Sequence, residues 1–186
     1  MRRRTINWLV SLLTSLWLAG CVVTLPQPLT PVAKAKIDKA LLGTWRDEEQ
    51  TLTAVVEAQD GHGLNITVTE LASDGQTRTS HYQGHTSILK GKHYLNLHGE
   101  ESGEGYLLMR YSVKGDVTEM SLLDPGATRT AVRRGEIAGK ADDSTYAPEV
   151  NLTADAAAIA AFIVKHQSEL FKNPARLLRV TASSTK

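Results

Sequence analysis

The sequence predicts a mainly β fold of the α+β class: an antiparallel β-meander curled into a barrel or half-barrel, with an amphipathic helix near the C-terminus. Three observations carry this. Short apolar–polar alternations recur at intervals of roughly 8–15 residues, separated by polar turns. The connections are too short for the helical crossovers that parallel strands need. Beyond residue 153 the apolar period changes from that of a strand to that of a helix.

At 186 residues, 41% hydrophobic and 22% charged, the chain can bury one sizeable core and is too apolar for extended disorder. Its 21 Lys+Arg against 20 Asp+Glu leave no basic excess to neutralise a phosphate backbone, which argues against a nucleic-acid binder. The single cysteine excludes an intramolecular disulfide and any multi-cysteine metal site.

The elements follow in chain order. Arg2, Arg3 and Arg4 form a positive start, and the apolar stretch from Ile6 to Leu18 fits the hydrophobic region of a secretory signal, too short to span a membrane comfortably. Pro26, Pro28 and Pro31 then disfavour helix and keep the chain extended, so residues 21–41 read as a tether. Within it, residues 33–42 are a candidate short helix with Ile37, Leu41 and Leu42 on one side. The domain proper is assigned to residues 42–178, starting at Leu42-Gly43-Thr44-Trp45.

Leu52–Ala58 alternates and ends at the turn Gln59–Gly63. Leu64, Ile66 and Val68 face one way in the next strand, Leu64–Leu71, and Asp74-Gly75 turns it back. Residues 78–90 form a weaker strand closed by Lys90-Gly91-Lys92. In His93–His98, Leu95 and Leu97 oppose Tyr94, Asn96 and His98. A polar loop, Glu100–Gly105, precedes Tyr106–Val113 and Val117–Leu123, a hairpin around Lys114-Gly115-Asp116. Ala127–Arg134 is a helical turn or more, Glu136–Ala138 a short strand, and Tyr146–Leu152 another. The final helix is expected from Ala154 to Lys172, with Thr153 as N-cap, Asp155 in its first turn and an apolar stripe through Ile159, Phe162, Ile163, Leu170 and Phe171. Asn173-Pro174 ends it, and residues 179–186 are expected to fray.

Two resemblances bear on function. Leu18-Ala19-Gly20-Cys21 resembles the bacterial lipobox. This implies diacylglycerol on the Cys21 sulfur, cleavage after residue 20 and acylation of the new N-terminus; two or more chains anchor stably where one does not. Val22 stands where an Asp would signal retention at the inner membrane, so the resemblance implies the periplasmic face of the outer membrane. Removing residues 1–20 takes Arg2, Arg3, Arg4, Trp8 and Trp17 with it. From 186 residues 166 would remain, with 18 Lys+Arg against 20 Asp+Glu and Trp45 as sole tryptophan.

Gly43-Thr44-Trp45 at the head of a meander resembles the G-x-W start of lipocalins and lipocalin-like proteins. There the glycine permits a close turn and the tryptophan plugs one barrel end. The whole pattern also resembles small bacterial envelope lipoproteins that carry no assigned activity. Lysozyme inhibitors are among strand-rich periplasmic lipoproteins, but those usually carry disulfides, and this chain cannot form one.

Chemistry is sparse. His81 and His85 share a strand face, whereas His93 and His98, five apart, do not. With His62 upstream and no HExxH pattern, no metal site is assigned. No G-x-S-x-G elbow or phosphate-binding glycine loop is present, and the lipobox resemblance implies that lipid on Cys21 leaves no cysteine nucleophile. Glu100, Glu101 and Glu104 read as a charged hairpin tip, and Arg129, Arg133, Arg134 and Lys140 as a solvated basic patch opposed by Asp142 and Asp143. No catalytic residue and no cofactor is assigned. The expectation is a non-enzymatic, membrane-anchored envelope protein that binds a partner protein or a small apolar ligand. Trp45, Tyr94, Tyr106 and Arg110 are the candidate lining or mouth residues of the barrel. The alternatives are a structural or assembly accessory of an envelope complex and, ranked last, a histidine-dependent metal hydrolase.

Overall fold

The computed structural model describes residues 22–99, 103, 105–142 and 149–181. Eleven strands follow in chain order: β1 (Val23–Leu25), β2 (Gly43–Asp47), β3 (Leu52–Ala58), β4 (Leu64–Leu71), β5 (Thr77–Leu89), β6 (Lys92–Gly99), β7 (Tyr106–Lys114), β8 (Val117–Leu122), β9 (Gly139–Ala141), β10 (Val150–Leu152) and β11 (Ala175–Arg179). Helix α1 (Pro125–Arg133) lies between β8 and β9, and α2 (Ala156–Lys165) and α3 (Gln167–Leu170) lie between β10 and β11.

The expected meander is present and closes completely. β2 through β8 pair antiparallel in sequence order, and β11 pairs with both β8 and β2 to complete an eight-stranded barrel. Alternation sets which face turns inward. Val56, Ile66 and Tyr82 are in register across β3, β4 and β5, and all three are buried in the barrel interior. Closure removes the two open sheet edges that a half-barrel would leave.

A smaller layer branches from the barrel wall. Leu123 N still bonds Leu108 O as β8 ends, and from there β1 takes over the same edge of β7, at Leu107 and Tyr106. β1 pairs parallel with β10, and β10 antiparallel with β9. A second apolar core fills the space between this layer, the helices and the outside of β6 and β7. It includes Val23, Leu25, Tyr94, Leu108, Ile159 and Phe162.

Four expectations are corrected. Residues 22–41 are not a free tether: β1 is built into the wall, with Val23 and Leu25 buried. The candidate helix at 33–42 is instead two 3-10 turns, Val32–Lys34 and Lys39–Leu41. The long final helix is broken at His166, whose backbone leaves helical values (φ −116°, ψ 23°), and its N-cap is Asp155, whose side chain accepts from Ala158 N. The tail expected to fray from residue 179 is held at its start: Arg179 ends β11, and Val180 N donates to Thr44 O at 2.8 Å. The other C-terminal elements shift slightly: α1 starts at Pro125 with Asp124 as its N-cap, and the strand expected at 136–138 lies at Gly139–Ala141. The lipobox and Cys21, Glu100, Glu101, Glu104, Asp143 and Tyr146 lie outside the described residues.

Candidate functional site

The barrel interior is a core. Every barrel strand contributes to one apolar cluster, including Trp45, Ala54, Ile66, Tyr82, Leu97 and Leu177 among its buried members. The fit is tight at two glycines. A methyl group on Gly84 would lie 2.8 Å from Ile66 Cδ1, and one on Gly99 would lie 2.6 Å from Tyr82 Cδ1. Side chains, not a lumen, fill this part of the barrel.

Trp45 closes one end. It is 0% exposed, and its Nε1 donates to Leu41 O at 2.8 Å. The guanidinium of Arg179, on the last strand, sits 4.1 Å from the Trp45 ring centre and donates to Leu42 O at 2.6 Å and Ala40 O at 2.7 Å. A charge over an indole face is favourable by about 0.5–2 kcal/mol. Gly43 has φ 121°, and a Cβ there would stand 2.8 Å from Arg179 Nη1. The glycine of the Gly43-Thr44-Trp45 motif therefore makes room for the arginine.

Of the four candidate lining residues, only Trp45 faces the interior. Tyr94, Tyr106 and Arg110 stand on the outside of β6 and β7, because Leu95, Leu97, Leu107 and Met109 take the inward positions. Tyr94 is fully buried against Phe171, with ring centres 5.6 Å apart, and Gln167 Nε2 donates to its hydroxyl at 3.1 Å. Burial pushes its pKa up. Arg110 donates to Phe171 O at 2.9 Å with its guanidinium 5.2 Å from that ring. Tyr106 contacts His85 and His98. These residues hold the helical layer to the barrel and share no pocket with Trp45.

The sequence reading missed a polar clasp that binds residues 29–38 to the barrel. Asn96 is fully buried; its Oδ1 accepts from Leu29 N at 2.9 Å, and its Nδ2 donates to Ser87 Oγ at 2.8 Å and His85 O at 3.1 Å. His85, only 2% exposed, donates from Nε2 to Thr30 O at 2.7 Å. Thr86 donates to Lys36 O. Tyr111 donates to Asp38 Oδ2 at 2.9 Å, and His93 Nδ1 lies 3.3 Å from the same oxygen. Burial, with the Asp38 hydrogen bond and charge adding to it, pushes the Tyr111 phenol far above its usual range. The barrel residues of the clasp lie 50 to 73 positions from their partners in residues 29–38, so spacing along the chain gave no sign of it.

Burial also lowers the His85 pKa, with the Thr30 hydrogen bond opposing it. The unfolded chain, with a histidine near pH 6.5, then binds the proton more readily than the folded one. The contribution of His85 to stability is present above about pH 6.5 and declines as pH falls from there towards the lower folded value. Denaturant midpoints measured between pH 7.5 and 5 should fall with pH. His85→Ala should cost about 1–3 kcal/mol at neutral pH, by stranding the Thr30 carbonyl, and should flatten that slope. An unchanged slope would remove His85 from the account.

Two concave surfaces lie on the outside. A groove of about 600 Å³ runs over β3–β6 and is lined by Glu57, Asn65, Thr67, His81, Gln83 and His98, among others. Its walls are mostly uncharged hydrogen-bonding groups; Thr67 Oγ1 and His81 Nδ1 are 3.2 Å apart. A second groove, of about 440 Å³, lies among the helices, with Phe162 and Leu170 at its base and Arg134, Glu136, Glu169 and Lys172 around it. There His166 Nε2 is 3.2 Å from Glu136 Oε2, off the line of a hydrogen bond.

His81 and His85 share the outer face of β5, as the spacing requires. Among the described residues no three His, Cys, Asp or Glu side chains come together in a way that could hold a metal ion, and no helix is long and apolar enough to cross a membrane. No family model, curated protein or solved structure matches the chain.

Proposed function

We propose that the chain is a non-enzymatic envelope lipoprotein, anchored through lipid on Cys21, whose barrel works by docking a partner protein on its outer surface. The observation that carries the docking half is the apolar barrel core: Trp45, Ile66, Tyr82 and Leu97 pack together where a carried ligand would sit, while two concave surfaces lie on the outside. The basic start, apolar stretch and Leu18-Ala19-Gly20-Cys21 support the anchor. A lipocalin-like role as a carrier of apolar ligands is the weaker reading on the same ground.

For docking, a photo-crosslinking residue placed at Gln83, in the groove over β3–β6, should give one discrete protein adduct in intact cells. Glu119, on the outer face of β8, serves as the comparison position. Loss of the Gln83 adduct on His81→Ala, with the fold intact, would support the groove; absence of adducts at both positions would count against docking. For the anchor, Cys21→Ser should move the exported protein from the membrane to the soluble fraction. Retention at the membrane with normal export would contradict it.

A further inference from the structure

The anchor reading takes on a geometric consequence at Val22. Its carbonyl accepts from Val150 N at 3.0 Å, its side chain is half-buried against the barrel core, and β1 begins at the next residue. Cys21 is the preceding residue, one Cα step of about 3.8 Å away. A free tether over residues 22–41 would have let the domain stand up to about 70 Å from its lipid. Instead these residues are fastened along the barrel by β1 and by the contacts of Leu29, Thr30, Lys36 and Asp38. No spacer remains between lipid and fold.

The wall next to the anchor is identified by strand pairing. β1 and β10 run parallel, with Val23 opposite Val150, so Glu149 and Val22 stand side by side where the two strands begin. β9 lies beyond β10, with Ala141 opposite Val150 and Asp142 N bonded to Glu149 O. β7, from which this layer branches, is four strands from β3 in either direction around the closed barrel. The β3–β4 wall is therefore the far side of the barrel, and it carries Glu57, Asn65 and Thr67 of the polar groove.

We propose that the wall bearing β1, β10 and β9 is a membrane-contacting surface, seated on the headgroup layer of a phospholipid bilayer, with the β3–β4 wall turned away from it. This rests on the lipid-anchor reading above. Asp142 and Glu149 lie near the anchor beside Lys140, so charge does not draw this wall to anionic lipid. The short covalent connection holds it there, and the seating is insensitive to salt.

The test uses the full lipidated chain in phosphatidylcholine vesicles that contain a lipid with a fluorescence quencher on its headgroup. Because Cys21 is the only cysteine and its sulfur is occupied by lipid, Glu149→Cys and Glu57→Cys each provide one reactive thiol for a fluorophore. The expected result is strong loss of emission from the label at 149 and little loss at 57. The contrast should persist in about 1 M salt and disappear when ten Gly/Ser residues are inserted between Cys21 and Val22. Equal quenching at both positions, or stronger quenching at 57, overturns the seated orientation. Vesicle flotation of the same samples separates the two ideas: protein that floats but gives equal quenching is anchored without the orientation, whereas protein that fails to float overturns the anchor and the seating together.

Discussion

Ending the chain after Pro174 should abolish cooperative folding. β11 is five residues long, yet among the described residues it is the strand that joins β8 to β2: Leu177 is opposite Thr118 on one side and Asp47 on the other. Without it the barrel opens along two edges, each with unpaired backbone groups. Net contributions of about 1 kcal/mol per hydrogen bond across two ladders are lost, and truncating buried Leu177 even to alanine would cost about 2–5 kcal/mol. Arg179 goes too, and with it the cover over Trp45. Set against a typical total stability of about 5–15 kcal/mol, this loss is decisive. Thermal unfolding followed by circular dichroism should show a broad, non-cooperative change for the truncated chain and a sharp transition for the intact one. A sharp transition within a few degrees of the intact protein would mean that β11 does not close the barrel.

Replacing Trp45 by alanine is the single substitution with the largest expected effect. The indole is fully buried, and removing it leaves a large cavity at the barrel end, at a cost of about 3–5 kcal/mol. It also leaves the Leu41 carbonyl without its donor and the Arg179 guanidinium without its ring. A fall in melting temperature on the order of 10 °C is expected. Trp45→Phe keeps most of the apolar volume and should fall between the two. Arg179→Leu should cost less than Trp45→Ala, since the indole stays in place. If it costs as much, the arginine and not the tryptophan holds that end together.

The parts of the fold that were legible in the sequence are those where alternation is strong and turns are short. Leu64, Ile66 and Val68 mark β4, and Leu95 and Leu97 mark β6, because a pleated strand buried on one face repeats every two residues. β11 was hidden: Ala175–Arg179 is too brief to establish a period, and it follows a proline that properly ends the preceding segment. β1 was hidden for a related reason, since three buried or half-buried residues ahead of three prolines read as linker. The break at His166 lies within an apolar stripe that continues through it to Leu170 and Phe171, so periodicity alone gives one long helix. Among the candidate site residues, Trp45 followed from its motif, but its partner Arg179 is 134 positions away and could only be found once the barrel was closed. Tyr94, Tyr106 and Arg110 alternate with Leu95, Leu107 and Met109, and that alternation places them on the opposite face from the barrel core. The clasp through His85, Asn96 and Asp38 has no sequence signature, because the bonds that fasten residues 29–38 join them to barrel strands dozens of residues later.

The barrel core is packed with apolar side chains, and the proposed function lies on its outer surface. In the chain from Cys21 onward Trp45 is the one tryptophan, and it reports from within the core. The most direct measurement is a titration of this chain, freed of detergent, with a fluorescent fatty acid that quenches tryptophan emission. The account predicts no saturable quenching and no shift in melting temperature at stoichiometric probe. Saturable quenching at one probe per chain, with the melting temperature raised by the bound probe, would contradict it.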